Sequence, residues 1–124
     1  MPLIGDSASI SFAVTEGATA IALGSGDVAV LGTPKVVALC EEAAVGALAG
    51  TLPDGATSVG THITVDHNAP TPTGRVVTAT ATVTKVDGRA IEFSVSVTEG
   101  ETVVATGRHI RMVVDRNRFV ARLA

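Results

Sequence analysis

Three long segments in the second half of the chain alternate apolar and polar residues without interruption. Val76–Val86 sets Val77, Ala79, Ala81 and Val83 against Thr78, Thr80, Thr82 and Thr84. Arg89–Thr98 sets Ile91, Phe93, Val95 and Val97 against Glu92, Ser94 and Ser96, and Thr102–Val114 follows. Period two is the signature of a half-buried strand. Asp87-Gly88 is a strong two-residue hairpin signal, and Glu99-Gly100 turns the chain again. A meander that is apolar on one face needs a second layer to cover it. With three Phe and no Trp or Tyr among 124 residues, Val and Ala must fill the interior. That favours a sheet of β-branched residues against a small-residue helix.

The helix is predicted over Thr33–Ala49, with Thr33 placed to N-cap it and Pro34 at its first position. Gly50 stops it, and Pro53-Asp54-Gly55 supplies the turn. At about 100° per residue, Glu41 falls on the arc between Leu48 and Val45, near Val37 and Ala44, whereas Glu42 points with Lys35 and Gly46. One glutamate of the pair is thus solvated and the other sits on an apolar face. A carboxylate there costs free energy unless it is paired, protonated or hydrogen-bonded. A second strand, Thr57–His67, carries Ile63, Val65 and His67 on one face and His62, Thr64 and Asp66 on the other. If the Ile63/Val65 face packs on the helix, His67 lies on Glu41's side. A hydroxyl, a carboxylate and an imidazole converging near a helix N-terminus suit acyl-transfer chemistry. The bland readings are an N-cap for Thr33, a structural carboxylate for Glu41 and a core or strand-end histidine for His67.

Ser7–Val14 is the first strand, and Thr15–Gly32 is a Gly- and Ala-rich connection with room for a short helical turn. Asn68–Gly74 must be irregular or an edge, because its prolines donate no ladder hydrogen bonds. The order of strand, long helix and four strands predicts a single α+β domain over residues 1–124, with one helix against a curved antiparallel sheet. Net charge is −3, which gives no reason to expect nucleic acid or a membrane surface. Five of the nine basic residues (Arg108, Arg111, Arg116, Arg118 and Arg122) fall in the last 17 positions. They suit a solvated strand end and tail, or a patch meeting anionic phosphates. Cys40, the only cysteine, reads as core, and no internal disulfide can form. The N-terminus lacks the charged and apolar regions of a secretion signal, and no apolar run has the ~20 residues of a membrane span, so a cytoplasmic protein is expected. Three scattered histidines offer no metal-ligand spacing.

This order resembles the hotdog fold, a curled antiparallel sheet wrapped around one central helix. Within it the chain resembles the fluoroacetyl-CoA thioesterase type over about residues 28–119. The carrying residues are Thr33 with Glu41, then the stretch Gly60-Thr61-His62-Ile63-Thr64-Val65-Asp66-His67-Asn68-Ala69-Pro70-Thr71-Pro72-Thr73-Gly74, then Gly107–Val114 followed by Arg118-Phe119. The resemblance implies an acyl-CoA thioesterase with Thr33, Glu41 and His67 as catalytic residues and the Gly60 N–H receiving the thioester oxygen. It implies no cofactor beyond the CoA of the substrate. Arg108 and Arg111, both on a strand, become the expected contacts to CoA phosphates. His62 and His109 read as structural or exposed, with a CoA channel as the alternative for His109. It also implies a homodimer, or a dimer of dimers, because edge strands are left open and one helix cannot cover both sheet faces. Fluoroacetyl-specific members carry an aromatic-bearing lid between first strand and helix. Here Thr15–Gly32 is shorter and has no aromatic residue, which implies weak discrimination for a fluoromethyl group. Two other readings share the fold: a lyase such as an enoyl-CoA hydratase, and a non-catalytic acyl-thioester-binding or structural protein.

Overall fold

A computed structural model describes residues 1–124. Strand β1 (Ser7–Ala13) leads through a 3-10 turn (Glu16–Ala18) and a one-turn helix α1 (Ala20–Leu23) into the central helix α2 (Thr33–Leu48). Then come β2 (Ala56–His67), β3 (Val76–Asp87), β4 (Ala90–Glu99), β5 (Thr102–Asp115) and a short helix α3 (Arg116–Ala121). The five strands form one antiparallel sheet in the order β1-β3-β4-β5-β2. The expected meander occupies the middle, and β1 and β2 are its two edges. This is the hotdog arrangement.

Alternation decides which face is inside. Val77, Ala79, Ala81 and Val83 of β3 and Ile91, Phe93, Val95 and Val97 of β4 are buried against α2. The helix answers with Val36, Leu39, Cys40, Ala43, Ala44, Ala47 and Leu48. Alanines on both sides of the contact let the helix axis lie close to the sheet, so dense packing is reached without large side chains. The opposite face of the sheet is polar where β1 meets β3. There Ser7, Ser9 and Ser11 pair with Thr82, Thr80 and Thr78 through hydroxyl contacts of 3.0, 2.7 and 3.2 Å. Part of the face thought to need cover is therefore content in water. The surfaces left open are the outer edges of β1 and β2 and one flank of α2, where Val45 is exposed.

Two segments differ from expectation. The C-terminal tail is a helix, because Asp115 Oδ1 accepts the Arg118 N–H at 2.9 Å and the Arg116 N–H bonds Gly55 O at 3.0 Å. Asp115 is an N-cap that strand periodicity hides. The segment after β2 is irregular, as its prolines require, yet Thr71 is fully buried. Its carbonyl accepts the Leu31 N–H at 2.8 Å, and Pro72 bridges Val30. The two loops at the N-terminal end of α2 are thereby stitched together.

At Gly107, opposite Val65, the strands approach so closely that a Cβ would overlap the Thr64 carbonyl and crowd Val65 Cα. These obstacles are backbone and cannot swing aside. Gly107→Ala is therefore expected to destabilise the fold by at least about 1–3 kcal/mol, the usual cost of overpacking. Urea denaturation monitored by circular dichroism measures it, and an unchanged midpoint would contradict the packing described.

Candidate active site

The first half of the site sits where α2 begins. Pro34 follows Thr33 in the first turn, but the N-cap is Gly32, and no side chain bonds the helix N-terminus. The Thr33 hydroxyl instead lies 2.8 Å from His67 Nδ1. His67 is the last residue of β2 and half-buried on the same face as Ile63 and Val65, where alternation put it. Burial pushes its pKa below the usual imidazole value, with the Ala69 backbone opposing. His67 Nε2 is buried and has no hydrogen-bond partner within the chain. A buried ring nitrogen without a partner is costly.

The second half lies further along α2. Glu41 leans over Gly60, and a Cβ at position 60 would stand 2.5 Å from its Oε2. Arg111 Nη1 donates to that same oxygen at 3.2 Å. The guanidinium is fixed on its other side, with Nε donating to Ser58 Oγ at 2.9 Å and Nη2 to Ser58 O at 3.1 Å. His109 is 1% exposed and stacks on Phe93 with ring centroids 5.9 Å apart. Its Nδ1 lies 2.7 Å from the His62 carbonyl, and its Nε2 lies 3.1 Å from Arg111 Nη1. Carbonyl and guanidinium each permit one role only, so Nδ1 carries the proton and Nε2 accepts. His109 is therefore neutral, consistent with a pKa lowered by burial and by Arg111. Its 3.8 Å approach to Glu41 Oε2 is then no salt bridge. The ion pair that counts is Arg111–Glu41. Burial lowers the Arg111 pKa while Glu41 opposes this, and a guanidinium still stays charged.

A sequence profile described as fluoroacetyl-CoA-specific thioesterase matches residues 14–117. This chain belongs to that family. It is 39% identical over 94 residues to the fluoroacetyl-CoA thioesterase of Streptantibioticus cattleyicolor, covering 76% of this chain and 68% of the relative. The structure of the fluoroacetyl-CoA thioesterase FlK superposes with a TM-score of 0.91 at 33% identity, covering 98% of this chain and 94% of that one. A hot-dog-like protein from Thermanaerovibrio acidaminovorans reaches 0.90 at 27% identity, over 98% and 90% of the two chains.

Against the expected family site, the geometry is specific. Thr33 and His67 meet, and Glu41, Gly60 and Arg111 meet, but the pairs do not join within one chain. Eight residues of helix separate Thr33 from Glu41, a rise of about 12 Å. Glu41 is also less enclosed than its wheel position suggested, with its side chain 40% exposed. Arg108 and Arg111 point to opposite faces of β5. Arg108 pairs with Glu92 at 3.5 Å on the outer face, and Arg111 is buried and engaged. Strand membership alone could not separate them, but their parity relative to buried Val113 does. The same parity exposes what sequence reading missed: His109 shares the inward row with Arg111 and Val113, and Ser58 shares that of Gly60. Cys40 is core as expected, its thiol pushed up to about 11 by burial and by Glu41. It is no nucleophile at neutral pH.

His67 and His109 both titrate below their unfolded value of about 6.5. Below that pH the unfolded chain binds more protons than the folded one, so stability present above about pH 6.5 is lost on acidification through the two lowered pKa values. Urea midpoints are expected to fall from pH 7.5 to pH 5. An NMR titration placing His109 at or above the ordinary imidazole value would refute the tautomer assigned to it.

Proposed function

We propose that this chain hydrolyses short or medium acyl-CoA thioesters to the free acid and CoA as a homodimer, each active site drawing on both subunits. What carries the reading is the split just described. A carboxylate held by Arg111 over Gly60 lies at one end of an open edge strand, and a hydroxyl–imidazole pair with a vacant Nε2 lies at the other. β2 has an unpaired outer edge. A two-fold antiparallel pairing of β2 with its copy, centred on Thr64, with the irregularity between Gly60 and His62 taking up one residue, sets Gly60 of one subunit opposite residue 67 of the other. Glu41 then faces the imidazole that its own chain withholds. The exposed Val45 flank of α2 is covered by the same pairing.

In this site Glu41 attacks the thioester carbonyl or takes a proton from the attacking water. Arg111 holds the carboxylate in place, and the Gly60 N–H receives the negative charge that develops on the carbonyl oxygen. His67, with Thr33 fixing its ring, takes up the proton released by the attacking water and passes it to the departing CoA thiolate. Water supplies the hydroxyl of the acid, and the C–S bond is the one broken. FlK is known in complex with acetyl-CoA, as a threonine-to-serine mutant, which supports an acyl-CoA as the ligand class.

Glu41→Gln and His67→Ala are each expected to lower turnover at least ~100-fold with the fold retained, and Glu42→Gln to be near neutral. The two inactive variants, unfolded together and refolded, should recover about a quarter of wild-type activity. Half of randomly formed dimers are mixed, and each mixed dimer holds one intact site of two. No recovery in mixed dimers would place the whole site in one subunit.

The acyl end is closed by aliphatic rather than aromatic groups. Leu23 and Ala20 of α1 lie against Gly32, and Ile21 and Leu23 are exposed. One missing apolar contact is worth only about 1–3 kcal/mol. Kinetics with fluoroacetyl-CoA and acetyl-CoA should show a preference below about 200-fold, with activity on several short chains. A much larger preference would mean that α1 performs the work of an aromatic lid.

A further inference from the structure

Arg111 is spent on Glu41 and Ser58, and Arg108 is paired on the outer face. Arg111 is not free to receive the phosphates of a CoA ester, and Arg108, though exposed, lies on the sheet face away from Glu41. Elsewhere a cleft of about 300 Å³ opens between α3, the turn after β3 and the start of β2, lined by Arg89, Arg118, Ala56 and Val113. A hollow beside it adds Arg122. None of these three guanidinium groups has a carboxylate within ion-pair distance, although Asp54 and Asp115 also line the cleft. Asp115 is engaged in capping α3. That cap, with the Arg116 N–H bonded to Gly55 O, fixes the helix that carries Arg118 over the cleft.

The cleft extends toward the site. A second cavity of about 310 Å³ shares Pro53 and Ala56 with it and runs past Leu48 to Ser58, the residue that anchors Arg111. Ala56, Ser58 and Gly60 lie on one face of β2 by alternation, and Val113 adjoins Arg111 on the matching face of β5. Four strand residues separate Gly60 from Ala56, a span of about 13 Å. That span suits the extended pantetheine arm, which puts the diphosphate and 3′-phosphate end of the ligand among the arginines. We infer that Arg89 and Arg118, with Arg122 beside them, form the binding site for the phosphorylated nucleotide end of an acyl-CoA. The inference rests on the acyl-CoA reading of the catalytic site.

The test compares acetyl-CoA with S-acetyl-pantetheine, which keeps the thioester and arm but lacks the nucleotide. In the Arg89→Gln/Arg118→Gln double variant, KM for acetyl-CoA should rise at least about ten-fold with kcat unchanged, and KM for S-acetyl-pantetheine should stay put. Arg116→Gln, whose residue lines neither cavity, should behave as wild type. An unchanged KM for acetyl-CoA, an equal rise for both thioesters, or the same rise in Arg116→Gln would each overturn the site. Calorimetry with adenosine 3′,5′-bisphosphate needs no turnover. The wild-type chain should bind it in a salt-sensitive manner and the double variant should not. Binding by a chain that hydrolyses neither thioester would uphold the site and remove only the catalytic reading. Absence of binding to an active enzyme would remove the site and leave the catalysis.

Discussion

The close seat of α2 in the curled sheet is the contact on which everything else depends. Cys40, Ala43, Ala44 and Ala47 meet Ala79, Ala81 and the inward valines Val77, Val83, Val95 and Val97, and none of them exposes more than 6% of its surface. Because these side chains are short, the helix has little freedom to slide or roll without opening voids or clashes, each costly at interior density. That fixed seat sets the height of Thr33 at one end of β2 and of Glu41 near the other.

A second constraint acts on the polar groups this seat leaves near the interior. Arg111 and His109 project from β5 into space that is otherwise apolar, where an unpaired charge or donor would be expensive. The chain answers with a closed chain of contacts running from the His62 carbonyl through His109 and Arg111 to Ser58 and Glu41. Phe93, the one aromatic ring deep in the core, backs the imidazole. Gly60 completes it by leaving room for the carboxylate. The arrangement holds an acid in one orientation, whereas His67 keeps a ring nitrogen in reserve. A rigid carboxylate and an unsatisfied imidazole are complementary needs.

Membership of the fluoroacetyl-CoA thioesterase family fits this framework without fixing its acyl group. The segment over the N-terminal end of α2 is built from Ala20, Ile21 and Leu23 and stitched to Thr71 and Pro72 by backbone bonds. Aliphatic contact of this kind scales with area and distinguishes small groups weakly.

Much of this was legible in one dimension. Period-two alternation fixed the inward faces of β3, β4 and the Ile63–His67 half of β2, turn residues fixed the meander, and a 3.6-residue period separated Glu41 from Glu42. Those are local rules, each set by backbone geometry within a few residues. Ser58 and Gly60 also face inward only because the strand register shifts between Gly60 and His62. What the sequence left open were questions of distance between segments. Of the two roles read for Thr33, helix cap and partner of His67, only the second forms, because β2 ends beside the helix start. Arg111 was expected to reach out to phosphate and turns in to Glu41, because its strand parity and the gap above Gly60 are decided together. His109 gave no signal beyond that parity, since its tautomer depends on a carbonyl 47 positions away. Local periodicity determines which way a side chain faces. Only packing between elements, where short residues allow close approach, decides what it meets.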